Sequence, residues 1–270
     1  MVSVNVNRRR FHATSAIQGD TAILFSMKQR NDSNRRKKNV TSTSARGGSG
    51  KPRSAGRSRS ELKSNKANAT KLRVIGGDMR GRHIFYHGEA FTRPMKDSVR
   101  ENLFNILGRA VRGAIAFDLF AGTGALAIES ISRGAVEAVA IEQSNRAAGH
   151  IRETSKSLGI ESKMKVLVGD AFRWSETSLV APEDPDDPKI GVPWIVFLSP
   201  PYVMWEEELD KLNAVINQVL RQAPPGSVLV AETEDTFDAT RLPPGEWDLR
   251  VYGNVQLAFI EPATQCGLRC

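Results

Sequence analysis

An α/β fold with a mainly parallel sheet is the class this sequence predicts, and three observations carry it. Apolar, β-prone runs alternate with helical patterns from about residue 114 onward. Each run is nearly continuously apolar, as expected of strands covered by helices on both faces. The alternation closes with "EWDLRVYGNVQLAFIEP", two runs around Tyr252-Gly253-Asn254, a tight-turn signal for a C-terminal antiparallel hairpin.

The elements follow in order. "LRVIGGDMRGRHIFY" reads as two short strands around a Gly-rich, Arg-bearing turn, a small N-terminal hairpin element. "TRPMKDSVRENLFNIL" reads as a helix entered after Pro94, with Ser98-x-x-Glu101 at capping-box spacing. Val99, Leu103, Ile106 and Leu107 share one face of it. Strands are predicted at 114–120, 136–142, 163–170, 194–199 and 227–232. Helices are predicted over "GALAIESISRG", stopped at Gly134, over "SNRAAGHIRETSKSLG", ending near Gly159, and over "EEELDKLNAVINQVL". An acidic, proline-rich loop, "APEDPDDPKIGVP", separates the third strand from the fourth.

Charge divides the chain sharply. Residues 1–70 carry 16 Lys and Arg against 3 Asp and Glu, a net of +13, whereas the remaining 200 carry 22 against 27, a net of −5. The expected organisation is a basic tail (1–70), a folded domain (71–262) with a distinct N-terminal element (71–95), and a C-terminal tail (263–270). The first tail is rich in Ser, Asn, Gly and Arg and poor in core-forming residues, so disorder is expected there. Three readings of it stay open: a solubilising extension upstream of a start at Met27, an electrostatic arm for nucleic acid, or an organellar transit peptide. No apolar run has the length of a transmembrane helix. Cys266 and Cys270 lack a second pair, and the four histidines are scattered, so neither a metal site nor a structural disulfide is expected.

Parallel sheets bind ligands beyond the carboxyl ends of their strands, so the strand tips are where chemistry is expected. The first tip, "DLFAGTGALAIE", has Asp118 inside the strand and a loop through Gly122, Thr123 and Gly124. It lacks the third glycine of the dinucleotide fingerprint, and an acid there suits a ligand carrying an ammonium group. Glu142, about 20 residues after the glycines, can accept both hydroxyls of a ribose. Asp170 at the third tip can accept from an adenine amine. Three acids on three successive tips beside one glycine loop point to an adenosine-type ligand.

The fourth tip is "SPPY", Ser199 to Tyr202. "FDLFAGTGAL", "AIE", "GDAF" and "SPPY", in that order, resemble the S-adenosylmethionine-dependent amino-methyltransferases, which carry Asp or Asn before Pro-Pro-Tyr/Phe. The upstream segments "RVIGGDMRGRHI" and "TRPMKDSVRENLFNIL" narrow the resemblance to the RsmD type, the 16S rRNA (guanine-N2)-methyltransferases, over about residues 72–262. This resemblance implies a Rossmann-like methyltransferase sheet, S-adenosylmethionine as cofactor and no metal. It implies that Asp118 with Gly122, Thr123 and Gly124 holds the methionine part, Glu142 the ribose, and Asp170 with Ala171 the adenine. Ser199 and the Pro200 carbonyl would accept from the guanine amine while Tyr202 stacks on the base. Arg80, Arg82 and Arg93 would contact RNA. The implied partner is 16S rRNA or a small-subunit assembly intermediate, met by a cytoplasmic monomer.

Ser199 departs from the family pattern, being shorter than Asp or Asn and uncharged. Either Ser199 and the Pro200 carbonyl suffice for a slower enzyme, or the chain persists as an RNA-binding protein that retains the cofactor. Protein-glutamine or DNA-adenine methylation shares the Pro-Pro-aromatic signature, and the RNA-type upstream segments argue against it.

Overall fold

The computed structural model describes residues 72–86 and 94–263. The two expected tails, Arg93 and both cysteines lie outside the described residues.

Five strands form the parallel part of the sheet: β1 (Ile115–Asp118), β2 (Glu137–Glu142), β3 (Met164–Val168), β4 (Trp194–Leu198) and β5 (Val228–Glu234). β6 (Asp248–Tyr252) and β7 (Val255–Ile260) complete it in the order β3-β2-β1-β4-β5-β7-β6, with β7 antiparallel to both neighbours. Gly253, at φ 64°, makes the two-residue turn between them that the Gly-Asn pair predicts. Strand order reverses between β1 and β4, where such sheets open a crevice.

Alternate residues of each central strand enter opposite cores. Ile195 and Phe197 of β4 pack with the side holding Phe104, Ile128 and Ile151. Trp194, Val196 and Leu198 pack with the side holding Leu212, Ile216 and Val219. β1 and β4 are buried along their whole length, which is why their sequences read as unbroken apolar runs.

The helices are α1 (Asp97–Leu107), α2 (Ala125–Ser132), α3 (Asn145–Leu158), α4 (Ala171–Ser178), α5 (Met204–Glu207) and α6 (Leu209–Gln222). The capping box expected on α1 does not form. Lys96 is the N-cap residue without a side-chain cap bond, and Ser98 lies within the first turn. Asp97 supplies the negative charge favoured at that end. The inward face also differs from expectation. Ile106 is 38% exposed and Phe104 is buried instead, because Phe104 stacks against Phe197 of β4 at 5.7 Å between ring centroids. α4 was not expected as a helix, and Asp170 caps it by accepting from the Arg173 N–H at 2.9 Å.

The N-terminal element is looser than a two-stranded hairpin. Arg73 and His83 make one isolated bridge, flanked by Val74 N–H to Arg82 O and Ile84 N–H to Leu72 O, each at 2.9 Å. Its turn is bonded to α2 as well as to itself. Ile75 and Gly76 donate their N–H groups to the Glu129 carboxylate at 2.8 and 2.7 Å, and Met79 N–H donates to Ser132 Oγ at 2.9 Å. Gly77 is required at this seam: its φ is +74°, and a Cβ would collide with the Ser132 carbonyl. Buried Glu129 also pairs with Arg133 at 2.9 Å and lies 3.9 Å from buried Arg100. Arg100 bonds Asp97 at 2.9 Å and the Arg73 carbonyl at 2.7 Å. The Arg100–Asp97 pair is therefore one corner of a larger clasp joining three segments.

Candidate active site

A cavity of about 800 Å³ opens at the carboxyl ends of the parallel strands. It is lined by every residue the sequence singled out at the four tips except Gly124, which supports it from behind. Among the described residues five acids line it, Asp118, Glu142, Asp170, Glu232 and Glu234, against one cation, Arg100, already engaged in the clasp.

Asp118 ends β1 and is 1% exposed. Its Oδ2 accepts from the Ala127 N–H at 3.3 Å. Burial pushes its carboxyl up to about 7, the Ala127 N–H opposes this, and the charges of Glu142 and Glu232 add to it. Such a group is a proton-bearing acid without ligand and a strong anion beside a cation.

The loop after β1 is shaped by Gly122 (φ 53°) and Gly124 (φ 70°). A Cβ on Gly124 would stand 2.8 Å from Ile151 Cγ2 of α3, so glycine lets the loop seat against that helix. Glu142, the last residue of β2, accepts from Gly122 N–H and Ser144 N–H, both at 2.7 Å. It therefore ties the glycine loop to the start of α3, and each carboxylate oxygen keeps a second lone-pair direction. Asp170 is exposed and engaged in capping α4, while buried Ala171 and half-buried Phe172 form an apolar wall beside it.

The tip of β4 bends at buried Pro200 and exposed Pro201 into α5, with Met204 N–H bonded to Pro201 O at 2.9 Å. Ser199 and Tyr202 are half-buried on the cavity wall. Tyr202 donates its hydroxyl to Glu232 Oε1 at 3.1 Å, and the nearby Ser199 hydroxyl also favours the charged form of that carboxylate. Trp205 Nε1–H fixes the Glu232 carbonyl at 2.8 Å. Glu232 carried no role in the sequence reading, although the signal was there: the run "SVLVAE" ends in an acid just as the first two strands do.

Arg80 and Arg82 are exposed on the N-terminal element, outside the cavity, and Arg82 bonds the Ser157 carbonyl at 3.0 Å. Arg93 lies outside the described residues, but Pro94 and Met95, which follow it, line the cavity rim.

The family model described as "Conserved hypothetical protein 95" matches residues 72–261, most of the chain. The chain belongs to this family, the RsmD type. Its relatives include YlbH of Bacillus subtilis, 32% identical over 147 residues that cover 54% of this chain and 74% of YlbH. The Ribosomal RNA small subunit methyltransferase D of Escherichia coli K12 is 42% identical over 80 residues, covering 30% of this chain and 40% of that protein. The solved structure of yhhF from Escherichia coli superposes with a TM-score of 0.55 at 27% identity, over 71% of this chain and 98% of that one. Of the segments that resemble the RsmD motifs, the four strand tips and Pro94, Met95 and Arg100 meet at the cavity, whereas residues 73–84 lie outside it.

Proposed function

We propose that this RsmD-type chain transfers a methyl group from S-adenosylmethionine to the exocyclic N2 amine of a guanine in small-subunit ribosomal RNA. One observation carries the reading: a cavity walled by acids, with a raised carboxyl at its floor, opens directly onto a Pro-Pro-Tyr lip. The residues present fit the cofactor, because an acidic cavity favours a ligand bearing ammonium and sulfonium charges over one bearing a pyrophosphate. Asp118 and the N–H groups of the 122–124 loop would hold its amino-acid end, Glu142 its ribose, and Asp170 with Ala171 and Phe172 its adenine. When bound, it supplies a methyl group on a positively charged sulfur.

The chain's own work is positioning. Tyr202 is held by Glu232 so that its ring can receive a guanine taken out of its stack. Ser199 and the Pro200 carbonyl would orient the amine, whose lone pair is otherwise delocalised into the base. Arg80, Arg82 and Arg93 would contact phosphates, since arginine pairs with them well. An assembly intermediate is the preferred form of the RNA because an accessible guanine costs less to extrude than one inside a finished helix. The chain is proposed to act as a monomer where ribosomes are assembled, in the cytoplasm. Among the described residues no helix is long and apolar enough to cross a membrane.

The test is a substrate panel. Purified full chain with labelled S-adenosylmethionine is offered naked small-subunit RNA, 30S-like particles, duplex DNA and protein. Label in the small-subunit RNA or its particle supports the reading. Cofactor binding with no transfer, or label in DNA or protein alone, contradicts it.

A further inference from the structure

The acid on β5 has no part in holding an adenosine ligand, yet it is the polar centre of the lip. The parallel register of β4 and β5 pairs Leu198 with Ala231, so the next residue on each strand, Ser199 and Glu232, stand side by side on the cavity wall. The Tyr202 hydroxyl bonds the Glu232 carboxylate, the neighbouring Ser199 hydroxyl favours its charged form, and Trp205 pins its backbone. The titratable and charged groups around it are Asp118 across the cavity on β1, Tyr202 from the lip, and Glu234 farther along β5. Among the described residues the one lining cation, Arg100, is bound to Asp97 and the Arg73 carbonyl. Among those residues Glu232 has a hydroxyl partner and no lining cation to neutralise it. Burial raises its carboxyl above the ordinary glutamate range, and the two hydroxyls pull it back. A carboxylate so placed is suited to accept a proton.

We propose that Glu232 is the proton acceptor of the lip: together with Ser199 it receives the amine of the substrate and takes the proton that the amine loses. The inference rests on the methyl transfer proposed above. The amine nitrogen uses its lone pair to form the new N–C bond, while the electron pair of the broken S–C bond stays on sulfur as a neutral thioether. The nitrogen, briefly cationic, gives one proton to Glu232, either directly or by way of the Ser199 hydroxyl, which passes one proton on and receives one. The products are a neutral methylated amine and a protonated Glu232, which returns its proton to water. Ser199 is then adequate at a position where the family carries a longer side chain, because the negative charge comes from the neighbouring strand.

The experiment uses the full chain, S-adenosylmethionine and small-subunit RNA under single-turnover, cofactor-saturated conditions. Glu232→Gln is expected to slow transfer about 100-fold, the size of a lost general base, and to abolish the rise of rate with pH. Its affinity for S-adenosylmethionine should stay that of the unchanged chain. Ser199→Asp added to Glu232→Gln is expected to recover part of the rate by returning a carboxylate to the lip. Carbon-13 NMR titration of the glutamate carboxyls gives a readout independent of activity. Glu232 should titrate above the other glutamates, and higher still in Ser199→Ala and in Tyr202→Phe. Undiminished transfer by Glu232→Gln with its pH profile intact overturns the inference and leaves the proposed function standing. An unchanged chain that binds cofactor and methylates nothing overturns the proposed function, while a Glu232 that titrates ordinarily and ignores Ser199→Ala overturns the inference.

Discussion

Asp118 carries two opposite consequences of its burial. Its folded-state carboxyl lies at about 7, well above its value in an unfolded chain. Between the ordinary aspartate range and pH 7 the folded protein therefore holds a proton that the unfolded chain has released, and stability falls as pH rises across that window. Asp118→Asn should stabilise the ligand-free protein at pH 8 by roughly 2–4 kcal/mol, read by denaturant unfolding at pH 5 and pH 8. The same substitution should weaken S-adenosylmethionine binding, because the ligand's ammonium is what the anion awaits. In the unchanged chain affinity should rise with pH up to about 7 and then level off, with proton release on binding below that pH, measured calorimetrically in buffers of different ionisation heat. A pH-independent affinity would contradict this role. Asp118, Glu142 and Ser199 were legible in the sequence because each stands at the end of an apolar run. Glu232 stands in the same way, and what the sequence does not display is the β4–β5 register that sets it beside Ser199.

The N-terminal element and α2 behave as one unit because backbone N–H groups of the first are satisfied by side chains of the second. Gly77→Ala should break that seam through both the left-handed backbone and the collision with Ser132. Faster amide exchange over residues 75–79 and weaker RNA binding are expected, with cofactor affinity retained, since the turn lies outside the cavity. Glu129→Ala should be more severe, leaving buried Arg100 and half-buried Arg133 without their shared carboxylate at a cost of about 3–5 kcal/mol. A loss below 1 kcal/mol in urea unfolding would show that the clasp holds nothing. The strands were legible from continuous apolar runs and the hairpin from Gly253-Asn254. α4 was hidden because Asp170 fits a ligand contact as well as a helix cap, and eight residues give little periodicity. The cap of α1 differs from expectation because Ser98-x-x-Glu101 has the right spacing but begins two residues past the N-cap Lys96.

For the whole molecule the charge division raises the question of what draws in a polyanion. A folded body of net −5 with an acidic cavity repels a polyanion, whereas residues 1–70 carry net +13. Removing residues 1–70 should weaken binding to small-subunit RNA and flatten its dependence on salt concentration, measured by filter binding across a salt series. Identical salt slopes with and without those residues would leave RNA affinity to Arg80, Arg82 and Arg93. The central claim concerns the cavity, and one measurement reaches it most directly. Small-subunit RNA incubated with the full chain and S-adenosylmethionine is digested to nucleosides and analysed by mass spectrometry. N2-methylguanosine, arising at one site and absent with Asp118→Asn at limiting cofactor, is the predicted product. Methyl groups on adenine N6, or a bound cofactor with no methylated guanosine, would contradict the account.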